Sequence, residues 1–174
     1  MNLIVAVDQK WGIGKNNGLL FRLPADMAHF KARTTGKVVV MGANTLKSLP
    51  GGKPLPNRVN IVLYPGGEKR ADCLVLDSMA ELINALKGYP TEDIFIIGGA
   101  MFYRTMLPYC DTAYITKVDA DGGAEVFLDD LDQKEAWVLR SAAEAADNGY
   151  AVTFCVYRNR DVKPLEQAEH GREQ

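Results

Sequence analysis

Asp26 lies in Leu23-Pro24-Ala25-Asp26-Met27-Ala28-His29-Phe30-Lys31, where the proline can open a helix. On a helix Asp26 and Phe30 are four apart, as are Met27 and Lys31, so the four share one face. A carboxylate beside Met27 and Phe30 meets an apolar wall. Burial there raises its pKa and makes it seek a donor-rich partner, such as a planar ring with adjacent N–H groups. The same residue type in a first helical turn also serves as a plain favourable charge against the helix dipole.

Two further segments have the shape of anion-binding turns. In Ile94-Phe95-Ile96-Ile97-Gly98-Gly99-Ala100, and again in Val40-Met41-Gly42-Ala43-Asn44-Thr45, an apolar strand runs through glycine into a helix. Such turns present backbone N–H groups where a pyrophosphate can sit. The stretch from Ala6 to Gly18 follows a strand and contains Gly12, Gly14 and Gly18, which suits a flexible loop or lid. It is not the G-x-G-x-x-G fingerprint.

The elements that must hold these residues read as alternating strands and helices. Apolar runs at 3–7, 38–41, 59–63, 73–76 and 94–97 are mostly continuous, as expected of strands buried on both faces. Helices are expected from Pro24, over about 45–49, from Ser78 (with Glu81 at capping-box spacing and Gly88 as the stop), and over 102–107. After that the rhythm changes to strands alone, at 112–118, 136–143 and 150–157, with Asp147-Asn148-Gly149 as a hairpin turn. The expected fold is α/β: a central, mostly parallel twisted sheet with antiparallel C-terminal edge strands, flanked by about four helices. Residues 1–160 form a single domain in this reading, and the polar residues 161–174 form a frayed tail.

Composition narrows the class. The 174 residues are 47% hydrophobic and 24% charged, with a net charge of −2, which speaks against a nucleic-acid binder. Cys73, Cys110 and Cys155 are scattered and support neither a disulfide framework nor a metal site. The apolar start is cut short by Asp8 and no run approaches bilayer-spanning length, so no membrane partner and a cytoplasmic location are expected.

Taken in order, Ile13-Gly14, Leu23-Pro24-x-Asp26, Phe30-Lys31, Met41-Gly42, Pro54-Leu55-Pro56-x-Arg58, Ile97-Gly98-Gly99, Tyr103 and Thr116 resemble bacterial dihydrofolate reductase over about residues 2–158. The resemblance implies reduction of dihydrofolate by hydride transfer from NADPH, in support of one-carbon and thymidylate metabolism. It also implies antifolate inhibitors as ligands and a monomeric state. Asp26 would hydrogen-bond the pterin, with Thr116 beside it, and Leu19 and Phe21 would complete the catalytic set. Val5, Ala6, Met27, Phe30, Lys31, Leu49, Leu55, Ile97 and Tyr103 would line the folate pocket, and Arg58 would pair with the glutamate carboxylate. The cofactor would lie along Ala6, Ile13, Gly14, Gly18 and Leu19. It would continue over Gly42, Ala43, Asn44 and Thr45, then Leu63, Tyr64 and Ser78, and finally Ile97, Gly98, Gly99, Ala100, Met101, Phe102 and Tyr103.

Departures from the family pattern concentrate at the cofactor's 2′-phosphate end. Ala43 and Met101 stand where arginines are common, and Tyr64-Pro65 replaces small polar or basic residues. NADPH is therefore expected with NADH possible, and Lys69 or Arg70 on the next loop is the candidate to compensate. Leu20-Phe21 replaces Pro-Trp, removing an indole N–H. Gly123-Ala124-Glu125 replaces a lid-bracing Gly-Asp-Thr, with Glu125 as the substitute. Two rival readings are a riboflavin-pathway reductase on the same fold and a nucleotide-binding module without turnover. Asp26 together with Arg58 favours folate over the first, and Asp26, Thr116 and both glycine turns speak against the second.

Overall fold

The computed structural model describes residues 1–169. In chain order the strands are β1 (Asn2–Val7), β2 (Gly12–Gly14), β3 (Val38–Gly42), β4 (Val59–Leu63) and β5 (Leu74–Leu76). They continue with β6 (Ile94–Gly98), β7 (Thr112–Val118), β8 (Val126–Phe127), β9 (Trp137–Asp147) and β10 (Tyr150–Asn159). The helices are α1 (Pro24–Thr34), α2 (Ala43–Ser48), α3 (Met79–Leu86) and α4 (Ala100–Met106). Eight strands form one sheet in the order β5-β4-β3-β6-β1-β7-β10-β9. Neighbours from β5 to β7 are parallel, and β10 runs antiparallel to both β7 and β9.

The period-2 alternation of side chains divides the apolar runs between two layers. Leu3, Val7, Val38, Val40, Ile94 and Ile96 pack with Leu82 and Ile83 of α3 and with Phe102 and Met106 of α4. Ile4, Val39, Met41 and Phe95 pack on the other face with Leu46 of α2 and Phe30 of α1. Both faces of the central strands are thus covered, which is why those strands contain so little polar alternation.

Local signals behave as their chemistry requires. Ser78 caps α3 by accepting from the Glu81 N–H at 3.1 Å, and Glu81 reaches back to the Asp77 N–H at 2.7 Å. The β9–β10 turn has positive φ at both central residues, Asn148 at 50° and Gly149 at 84°, as a two-residue primed hairpin demands. The α2 helix begins two residues earlier than expected, because extended Gly42 already serves as its N-cap. The β2–β8 ribbon is too short and glycine-rich to show periodicity.

The segment after Arg160, expected to fray, instead folds back as far as Glu169. The Lys163 N–H donates to the Pro108 carbonyl at 2.9 Å, and Leu165–Glu169 forms a 3-10 turn beside α3. Ala168 is 4% exposed within the main core and Leu165 packs against it. Two buried or half-buried apolar anchors dock a segment in which Val162 is exposed and most other residues are polar. Residues 170–174 of the expected tail lie outside the described residues. Ala168→Asp is expected to cost about 2 kcal/mol, because it buries an unpaired charge. Thermal denaturation checks this, and an unchanged melting temperature would mean that the segment is not docked.

Candidate active site

The α1 helix lies over the C-terminal half of β7, so that Asp26 meets Thr116. The Thr116 hydroxyl donates to Asp26 Oδ1 at 2.6 Å. Thr116 itself is buried, opposite Ala6 in the parallel β1–β7 register. Burial is the main influence on Asp26 and raises its pKa. The Thr116 hydrogen bond and nearby His29 oppose that rise, and Asp147 adds to it. Among the described residues Oδ1 has this one donor, and Oδ2 keeps its acceptor capacity for a ligand.

The expected apolar wall is mostly present. Phe30, Leu49, Leu55 and Ile97 are half-buried against the cluster formed by Ile4, Val39, Met41 and Phe95. Val5 is a correction: its side chain packs in the opposite layer, and Ile4 faces α1 in its place. The alternation of a strand makes that one-residue difference decisive. The shared face of α1 also divides, with Asp26 and Phe30 turned inward while Met27 is 57% exposed and Lys31 is exposed at the rim. Arg58 sits at the mouth, its guanidinium carbon 5.9 Å from the Phe30 ring centre. Its Nε donates to the Pro56 carbonyl at 3.0 Å, which leaves the terminal nitrogens for a carboxylate.

Asn60, which sequence reasoning missed, shapes this mouth. Its buried amide donates to the carbonyls of Leu55 and Arg58 and accepts from the Leu55 N–H, at 2.8–3.1 Å. A lone polar residue inside the apolar run of β4 was the available signal. Tyr103 is buried with its hydroxyl donated to the Ile4 carbonyl at 2.8 Å, and burial pushes its pKa upward. It therefore acts as a fixed wall and not as an acid.

Gly98 and Thr45 bring the ends of β6 and β3 together. Gly98 has φ of +138°, and a Cβ there would come 2.9 Å from Thr45 Oγ1. The close approach of Gly98 to Thr45 sets the two glycine turns side by side, and the N–H groups of Ala43, Asn44, Gly99 and Ala100 have no backbone partner among the described residues, a donor set that fits a diphosphate. Ala43 and Ala100 are half-buried beside it, Asn44 is exposed, and Met101 is 81% exposed. Leu63 and Phe102 are buried in the core, so only their backbone borders the cleft. Tyr64 is half-buried with Lys47 Nζ 5.3 Å from its ring centre, and Ser78 is occupied as the α3 cap. Lys69 is already bound to the Val75 carbonyl and Asp77, and Arg70 to Asp72 and the Gly52 carbonyl.

The 12–20 loop is an ordered ribbon with a turned tip. Ile13 is half-buried, Gly14 is buried and Gly18 closes the tip onto Lys15, while Leu19 is 79% exposed and contributes no wall. Glu125 does brace this ribbon: its N–H donates to the Gly14 carbonyl, and its Oε1 accepts from the Asn16 N–H, both at 2.8 Å. Asp8 is a second brace that sequence reasoning missed. Its buried carboxylate accepts from the N–H groups of Lys10, Gly12 and Gly122. Phe21 packs edge-on against Tyr150 with ring centres 4.9 Å apart, in a small cluster with Leu23, Val118 and Val152. Among the described residues no three His, Cys, Asp or Glu side chains gather as a metal site.

Comparison with known proteins agrees with this geometry. The model of the family described as dihydrofolate reductase matches residues 1–159. Dihydrofolate reductase of Bacillus subtilis is 33% identical over 165 residues, covering 92% of this chain and 95% of that protein. The Haemophilus influenzae enzyme is 35% identical over 157 residues, covering 89% and 96%. Among solved structures, dihydrofolate reductase from Enterococcus faecalis, complexed with NADP(H) and RAB-propyl, superposes with a TM-score of 0.82 at 28% identity, covering 92% of this chain and 96% of that one. The chain belongs to the dihydrofolate reductase family.

Proposed function

We propose that the protein reduces 7,8-dihydrofolate to 5,6,7,8-tetrahydrofolate, with NADPH as reductant. The observation that carries this reading is the Asp26 carboxylate, half-buried beside Phe30 with Thr116 as its one donor among the described residues and acceptor capacity to spare. That spare capacity suits the 2-amino group and adjacent ring nitrogen of a pterin. Asp26 binds and polarises the ring, and solvent delivers the proton to N5. Bound NADPH supplies the hydride that adds to C6.

The remaining residues of the chain orient the partners and exclude water. Phe30, Leu49, Leu55, Ile97 and Ile4 sandwich the ring and its benzoyl extension, and Arg58 pairs with the glutamate carboxylate. The Gly42–Thr45 and Gly98–Ala100 turns hold the diphosphate, and the ribbon braced by Asp8 and Glu125 covers the nicotinamide end. Keeping water out strengthens the polar contacts there and holds donor and acceptor close. The same pocket is the site for antifolate inhibitors. A monomer in the cytoplasm is the matching cellular form, and among the described residues no helix is long and apolar enough to cross a membrane.

Three outcomes test this reading. Purified protein mixed with dihydrofolate should oxidise NADPH, followed by nicotinamide absorbance, and no oxidation with NADPH or NADH would sink it. Asp26→Asn should lose turnover on the order of a hundredfold at neutral pH while cofactor binding stays nearly intact. The same variant has a stability signature. Burial lifts Asp26 above its ordinary value of 3.8, so folding favours the protonated acid. That stabilisation is fully present below the ordinary value and is lost as pH rises through the folded value. Asp26→Asn should therefore melt at or above the parent temperature at neutral pH, and lose that advantage near about pH 4.

At the cofactor's far end, Lys69 and Arg70 are engaged elsewhere and Ala43 offers no charge, so Ala43→Arg should add a charge-assisted contact to the 2′-phosphate. NADPH should tighten by about ten- to a hundredfold and NADH should not. An equal gain for both cofactors would refute this placement.

A further inference from the structure

The α1 helix has an unusual start. Its first helical bond runs from the Met27 N–H to the Leu23 carbonyl, and Leu23, the N-cap residue, offers no side-chain acceptor. Pro24 has no N–H, so the N–H groups of Ala25 and Asp26 are the ones needing partners. Both are taken by one carboxylate from the far end of the chain: Asp147 accepts from Ala25 through Oδ1 at 3.1 Å and from Asp26 through Oδ2 at 2.9 Å. Asp147 is 5% exposed and makes no ion pair among the described residues. The positive end of the helix dipole faces its charge. The neighbouring residues of the hairpin tip grip the same segment. Asn148 Nδ2 donates to the Arg22 carbonyl at 2.8 Å, and Tyr150 packs on Phe21.

We propose that Asp147 is a positioning residue for Asp26: the β9–β10 hairpin, through this carboxylate, sets where the substrate-binding carboxylate stands and the field it stands in. The inference rests on the proposed role of Asp26. The cap takes the two N–H groups that the helix start leaves open, and one of them belongs to the backbone of Asp26 itself. Its negative charge also lies close enough to favour the protonated form of Asp26. The other groups facing Asp26 are Thr116 on β7, His29 one turn along α1, and Tyr103 on α4. None of these would be altered by changing Asp147.

The test uses Asp147→Asn and Asp147→Ala in the full chain. The Asp26 carboxyl is titrated by carbon NMR, and KM is measured for dihydrofolate and for NADPH. In both variants the Asp26 titration should move to lower pH, since the opposing charge is gone. The KM for dihydrofolate should rise about five- to tenfold, more in the alanine variant, with the KM for NADPH changed less than about twofold. If the alanine variant does not fold, the asparagine variant, which keeps one acceptor oxygen, decides. An unmoved titration, or an unmoved dihydrofolate KM, would overturn the proposal and leave Asp147 as a cap only. Should the parent protein fail to oxidise NADPH with dihydrofolate, the functional reading falls, and the titration alone still decides whether Asp147 governs Asp26.

Discussion

The 2.6 Å bond from Thr116 to Asp26 ties the half-buried carboxylate of α1 to the register of the whole sheet. A carboxylate on an apolar helix face pays a desolvation penalty unless a donor meets it, and here the donor comes from a strand 90 residues away in sequence. Thr116 and Tyr114 point toward α1, whereas Ala113 and Ile115 point into the opposite layer. A one-residue slip of β7 against β1 would present Ile115 to Asp26 and leave the carboxylate without a partner. The parallel pairing of Ala6 with Thr116 is thus a condition of the site as well as of the fold.

The same alternation explains what could be read from the chain and what could not. Mostly apolar runs identify the central strands, because both faces of β1, β3, β4 and β6 are covered and few of their residues meet water. The Asn148-Gly149 turn and the Ser78 cap are legible because their geometry depends on neighbouring residues alone. Facing is harder to read: a run apolar at every position gives no phase, so Val5 and Ile4 exchange layers without any trace in composition. The docked turn at Leu165–Glu169 is hidden for a related reason, since Leu165 and Ala168 are its only apolar anchors in a polar stretch.

Long-range polar contacts were the least legible. Asp8 reads as a residue ending a strand, Asn60 as an interruption of one, and Asp147 as part of a turn. Each gains its role from backbone groups that only the fold brings near: Gly122 for Asp8, the Leu55–Arg58 loop for Asn60, and the start of α1 for Asp147. Glu125 shows the intermediate case. The family resemblance marked it as a substitute brace, and its partners at Gly14 and Asn16 followed only from the β2–β8 ribbon.

The carboxylates around the cleft differ in how fully the protein satisfies them, and that difference separates structure from function. Asp8 accepts from three backbone N–H groups and Asp147 from two, so each is saturated as far as rigid positioning requires. Both are also the more deeply buried, at 2% and 5% exposure. Asp26 accepts from one hydroxyl. A sequence shaped only for stability has little reason to hold a carboxylate over an apolar wall with acceptor capacity unfilled. The shortfall at Asp26 is what a ligand with adjacent N–H donors would make good. The two saturated neighbours spend their acceptors on the backbone instead: Asp8 ties the root of the β2 ribbon, and Asp147 holds the helix start that carries Asp26.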